Sequence, residues 1–189
     1  MPDAPTLQLR TLLRAATGPA HARVDALMAD GFDDARGYRA YLAGMLAFVD
    51  GLLPAVAPQA RALGWALPGW DGLLRDDLAR AGGAPLPGTA PLPACDRARA
   101  LGALYVLEGS SLGARLLVRR ARALGHDAAT GAAFLHAHAD SEGGRRWPRF
   151  LALLASADDP ATVAPACAAA VQTFELAEHC LQRAKERMR

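Results

Sequence analysis

The chain contains no isoleucine and no asparagine, and its valine and threonine are sparse. Strands draw on β-branched residues, so their scarcity argues against a β-rich fold. Cysteine is scarce too: Cys95, Cys167 and Cys180 form no C-x-x-C pair and leave an odd thiol if two are joined. That excludes a disulfide framework and gives no zinc pattern, and such thiols suit a reducing cytoplasm. An excess of one charge is also lacking. With 21 Lys and Arg against 19 Asp and Glu the net charge is +2 and the pI about 8.6, too balanced to point to nucleic acid. No stretch reaches the ~18 uninterrupted apolar residues of a membrane span, since even 42–58 contains Asp50, so no membrane partner is expected. Residues 1–10 carry no basic lead before a long apolar core, and export is not expected.

What is present is alanine and leucine throughout, both strong helix formers, in a chain of 189 residues that is 52% hydrophobic and 21% charged. The expectation is one all-α domain over 1–189, a compact multi-helix bundle burying roughly 70% of its unfolded surface. Thr6 can cap a short helix running to 16, and Thr17-Gly18-Pro19 restarts the chain for a second over 19–28. Asp34 caps a third, with Tyr38, Tyr41, Leu42, Met45, Phe48, Val49 and Leu52 at intervals of three and four, stopping near Pro54. Further helices are expected over 70–80, from Asp96 to about 124 with a glycine interruption, over 131–138, over 146–155, and from Asp158-Asp159-Pro160 to 189. In the last, Val163, Val171, Phe174, Leu176 and Leu181 are available for packing.

The most informative segment, 101–120, reads LGALYVLEGSSLGARLLVRR. On a helix Gly102, Val106, Gly109 and Gly113 share one face, almost bare of side chains. Each helical glycine costs about 1 kcal/mol against alanine, so something must approach that backbone. A crossing helix and a flat ligand both satisfy this, and spacing alone does not choose. Ser110 and Ser111 would let the helix bend there and expose carbonyls. A second feature is His21 with Asp25 at i+4, where a carboxylate can hold one ring nitrogen and leave the other for a metal. An exposed pair of little consequence has the same spacing. His136 and His138 point to different sides of a helix, and neither H-E-x-x-H nor Glu-x-x-His occurs. A single protein ligand leaves a metal's other ligands to come from elsewhere, and a porphyrin supplies four.

The segments LRAATGPAHARVD, ALYVLEGSSLGAR and WPRFLALL together resemble heme oxygenases, most closely the bacterial type found with bacteriophytochromes. The resemblance spans nearly the whole chain. It implies an all-α fold that clamps heme between a helix carrying one histidine and a kinked, glycine-rich helix. It makes His21 the proximal iron ligand, Asp25 the group facing its other nitrogen and Arg14 a holder of a heme propionate. Gly109 and Gly113 become the distal glycines, and Phe174 part of the pocket wall. Many members carry Asp where this chain has Ser110, whose hydroxyl positions water but holds no charge; serine is common in the bacteriophytochrome-associated type. Pro148 stands where the family often has Arg, so Arg145, Arg146 or Arg149 must supply a second propionate contact, with Arg149 favoured.

The resemblance further implies oxidative opening of heme, at once substrate and cofactor, to biliverdin, carbon monoxide and ferrous iron. The imidazole would give a globin-like iron bond, and catalysis would sit at Gly109, Ser110 and Gly113. O2 is the oxidant, and electrons come from a ferredoxin or flavoprotein reductase, since nothing here resembles a flavin or iron–sulfur site. A bacteriophytochrome is the implied acceptor of biliverdin. Three other readings compete: a non-catalytic heme- or bilin-binding protein, a heme-free relative of thiamine-cleaving enzymes that needs a nucleophilic cysteine, and a plain helical interaction domain.

Overall fold

The computed structural model describes residues 6–29, 32–88, 90–140, 142–157 and 159–188, with 6–8 described through their backbone alone. The expected Thr6 side-chain cap, Asp158, Arg189 and residues 1–5 of the leader reading lie outside the described residues. Among the described residues there are eight helices and no strand. They are α1 (Thr6–Leu27), α2 (Ala35–Ala62), α3 (Trp70–Arg80), α4 (Arg97–Gly109), α5 (Ser111–Ala123), α6 (Ala133–Asp140), α7 (Arg146–Ala155) and α8 (Pro160–Arg187). Asp34, Asp96 and Asp159 cap α2, α4 and α8 as their sequence positions imply, accepting the backbone N–H of Gly37, Arg99 and Ala161 at 2.7, 2.8 and 2.9 Å.

Two breaks expected at prolines are absent. α1 runs through Pro19 unbroken, with the Thr17 hydroxyl donating back to Leu13 O at 2.8 Å beside it. α2 does not stop at Pro54 but continues through Pro54 and Pro58 to Ala62. A proline inside a helix disturbs the hydrogen bonding of the carbonyls in the preceding turn. Here the Pro-rich connection before α4 lies alongside and mends it. The N–H of Leu92 donates to Gly51 O at 2.9 Å and that of Cys95 to Ala55 O at 3.0 Å, each acceptor three residues before a proline.

α8 packs against α1, α2 and α4. Its buried face is not the expected row of large residues but Ala166, Ala169, Ala170, Thr173, Ala177, Cys180, Leu181 and Ala184, while Val163, Val171, Phe174 and Leu176 are only partly buried. Small side chains let four helices meet closely, and the large ones flank the crossing. Gly102 belongs to this crossing: a Cβ there would lie 1.9 Å from Ala166 O. The stripe on α2 does bury Tyr38, Tyr41, Leu42, Met45, Phe48, Val49 and Leu52, forming with all the other helices one apolar cluster. By length and mean hydropathy, α2 and the combined segment Arg97–Ala123 could each cross a membrane. α2 instead is the core helix, and the less buried second segment turns its apolar surface to a cavity.

Short α6 is held from outside. Asp77 of α3, 1% exposed, accepts the N–H groups of Ala133 and Phe134 at 3.0 and 2.8 Å, capping a helix start that offers unpaired donors. Burial pushes the Asp77 pKa up, against the lowering pull of those two hydrogen bonds.

Candidate functional site

A cavity of about 860 Å³ opens between α1 and the α4–α5 pair, lined also by Tyr41 and Met45 of α2, His138 of α6, Trp147 of α7 and Phe174 and Leu181 of α8. That volume lies within the ~300–1,000 Å³ range of small-molecule sites. On α1 the lining residues Arg10, Arg14, Thr17, His21 and Val24 recur at three and four, one continuous helix face that Met28 extends just beyond the helix end. His21 is held sideways by Phe174, with ring centroids 5.3 Å apart. The Asp25 carboxylate stands 3.6 Å from His21 Nε2, longer than a hydrogen bond. The expected bond from carboxylate to ring is therefore not made, because both side chains face solvent and an exposed pair gains little from closing.

On the facing wall the helix breaks at Ser110, which ends α4 and begins α5. The anticipated bare carbonyls at this kink are instead covered, since the Ser110 hydroxyl donates to Leu107 O at 2.7 Å and the Ser111 hydroxyl to Glu108 O at 2.8 Å. Gly113 faces open space, with nothing within 4 Å of where a Cβ would stand. Gly109 lines the cavity too, but its Cβ position lies 3.5 Å from the Trp147 ring. The glycine stripe thus serves two purposes: Gly102 admits a crossing helix, and Gly113 keeps the cavity wall bare.

Behind this wall sits a buried ion pair. Arg146 donates to both Glu108 oxygens, Nε to Oε2 and an Nη to Oε1, each at 2.7 Å, and to Ala66 O at 2.7 Å. Trp65 Nε1 donates to Glu108 Oε1 at 2.9 Å, and the guanidinium lies 4.7 Å from the Trp65 ring centre. A bidentate pair with its remaining acceptors satisfied is rigid in geometry, and it ties the end of α4 to α7 next to Gly109 and Trp147.

Of the residues singled out in the sequence, His21, Asp25, Arg14, Gly109, Ser110, Gly113 and Phe174 all line this one cavity. Arg149 does not. It pairs with Glu142 at 2.6 Å and lies over Trp65, while Arg146 is committed to Glu108 and Arg145 is absent from the lining. The second cation of the cavity is Arg10, one turn before Arg14 on the same face. Both act on Tyr105, whose pKa burial raises against their lowering pull. Its i−4 spacing from Arg14 was the available signal. Sequence reasoning also missed His138 and Trp147, which reach the cavity from α6 and α7, elements far from the motifs in sequence. His138 is 2% exposed, and desolvation first, with Arg146 nearby, lowers its pKa to about 4 although a hydrogen bond with the Ser110 backbone acts the other way. Burial raises the pKa of Cys95 and Cys167, so neither is an activated thiol of the kind a thiamine-cleaving site needs.

No family model matches the chain. It is 35% identical over 155 residues, 75% of this chain and 75% of the relative, to heme oxygenase PigA of Pseudomonas aeruginosa. Its fold is similar to that of the NO- and CO-bound heme oxygenase from Neisseria meningitidis, with a TM-score of 0.75 and 27% identity over 93% of this chain and 91% of that one.

Proposed function

The chain belongs to the heme oxygenase family, and we propose that it opens heme oxidatively to biliverdin, carbon monoxide and ferrous iron at the cavity between α1 and α4–α5. The observation that carries the reading is that the imidazole of His21 and the bare wall at Gly113 border the same cavity. The residues fit the group: a cavity of about 860 Å³ with the His21 imidazole, a wall without a Cβ at Gly113, and two guanidiniums suited to carboxylates. Bound there, heme supplies the iron, the O2 chemistry and the carbon that is oxidised.

The chain's own residues bind and orient. His21 is the iron ligand, with Phe174 limiting the swing of its ring and Asp25 available as an electrostatic partner. Arg10 and Arg14 hold propionates, with Tyr105 lining the same cavity within reach of their charge. Gly113 lets the disc lie against main chain, and Ser110 places a hydroxyl where water can be ordered. Serine rather than a carboxylate at 110 supports assignment to the bacteriophytochrome-associated type, with a bacteriophytochrome taking up biliverdin. O2, an external ferredoxin or flavoprotein reductase and a cytoplasmic setting complete the proposal, as does a single functional domain over the chain.

Incubating the hemin complex aerobically with ascorbate, or with ferredoxin and its reductase, tests it. Loss of the Soret band into a broad bilin absorption, with carbon monoxide released, is the expected result. A stable Soret band under both donors overturns catalysis and leaves a heme- or bilin-binding protein.

A further inference from the structure

Ser110 Oγ and His138 Nε2 lie 3.0 Å apart, and both residues line the cavity. His138 comes from α6, which contributes no other role to the site. Its ring has little freedom: the edge of Trp70 packs at 4.3 Å between centroids, and Phe134 stacks at 5.2 Å with planes only 15° apart. α6 is itself anchored at its start by Asp77. Nε2 is thus held toward Ser110, by packing that has nothing to do with a surface histidine. A ring buried this deeply stays neutral, so one nitrogen donates and the other accepts.

The Ser110 hydroxyl has one proton and two protein acceptors in reach, Leu107 O at 2.7 Å and His138 Nε2 at 3.0 Å. With the imidazole proton on Nε2, the ring donates to Oγ, and the serine proton goes either to Leu107 O or into the cavity. With that proton on Nδ1, Nε2 takes the serine proton, and Ser110 shows the cavity only lone pairs. The tautomer of one buried ring therefore decides whether the hydroxyl can spare its proton for the wall at all. The geometry points to His138 as a positioning residue that controls whether Ser110 can offer a donor, and not only lone pairs, to a small polar ligand on the distal face. This deepens the heme reading and rests on it for the identity of that ligand.

The test compares wild type, Ser110→Ala, His138→Leu, the double variant and His138→Gln, whose amide can stand in for the ring nitrogen. Circular dichroism shows which variants keep native helicity. Each is loaded with hemin, reduced under carbon monoxide, and read by the infrared C–O stretch, which responds to polarity at the distal face. Ser110→Ala and His138→Leu are expected to shift the stretch in the same direction, the double variant no further than either, and His138→Gln back toward wild type. In the heme-free protein, the ¹⁵N shifts of the His138 ring should change on Ser110→Ala, a readout independent of hemin. Additive shifts, a wild-type stretch in folded His138→Leu, or ring shifts indifferent to Ser110→Ala overturn the proposal. Failure of wild type to take up hemin would overturn the heme reading instead, with the ring shifts still deciding the Ser110–His138 contact.

Discussion

The two walls of the cavity are built in opposite ways. On α1, His21 and Asp25 are 59% and 67% exposed and stop short of a hydrogen bond. Behind α4–α5, Glu108 and Arg146 are 2% and 6% exposed and joined by two bonds of 2.7 Å. The His21–Asp25 pair is thus nearly independent of folding, while the bare, bent backbone of the other wall is braced from α6, α7 and the Trp65 segment. The proposed heme site accounts for the asymmetry: a histidine on a straight helix needs only the correct face, whereas a kinked helix with missing side chains must be prevented from collapsing.

Removing the brace is the strongest way to break this contrast. Glu108→Ala leaves Arg146 buried without its partner and is expected to lower unfolding free energy by about 3–5 kcal/mol. His21→Ala at the exposed wall should change it by no more than ~0.5 kcal/mol while abolishing iron ligation. Urea unfolding of both variants measures the pair.

Within the glycine stripe the comparison sharpens. Gly102→Ala forces a methyl against Ala166 O and is expected to destabilise by about 1–3 kcal/mol. Gly113→Ala meets nothing, and should gain up to ~1 kcal/mol of helix stability while weakening hemin binding. Thermal melts and hemin titrations should therefore rank these two variants in opposite order.

Acid separates the walls as well. His138 is depressed to about 4 in the fold, so between that value and the unfolded histidine's ~6.5 the unfolded chain binds the extra proton. Its contribution is fully present above that range and is lost as pH falls through it, on the order of 3 kcal/mol in all. Urea midpoints from pH 7 to 4 should decline less steeply in His138→Gln. The smallest expected effects lie at the rim. Arg10→Ala should raise the hemin dissociation constant several-fold, and Arg149→Ala, at an exposed pair worth ~0–1 kcal/mol, should leave it unchanged.

How much of this is legible in the sequence follows from how local each cause is. Capping aspartates and periodic stripes act within a few residues, so α3 and α7 fall where their patterns put them and Asp34, Asp96 and Asp159 cap as read. Pro54 reads as a stop because the N–H groups that repair α2 come from Leu92 and Cys95, dozens of residues away. The His21–Asp25 spacing and the glycines of α4–α5 were legible, each lying within a short stretch of sequence. Arg149 was misplaced and His138 passed over for a shared reason: their surroundings are set by packing of α6 and α7 on Trp65, Trp70 and Glu108, which no spacing along the chain encodes.

The most direct measurement is an optical titration of wild type and His21→Ala with hemin, repeated after adding free imidazole. The expected result is one hemin per chain with an imidazole-ligated spectrum in wild type, an altered spectrum in His21→Ala, and recovery when imidazole enters the gap. Identical spectra for the two proteins, with or without imidazole, would contradict a heme held between α1 and the bare wall of α5.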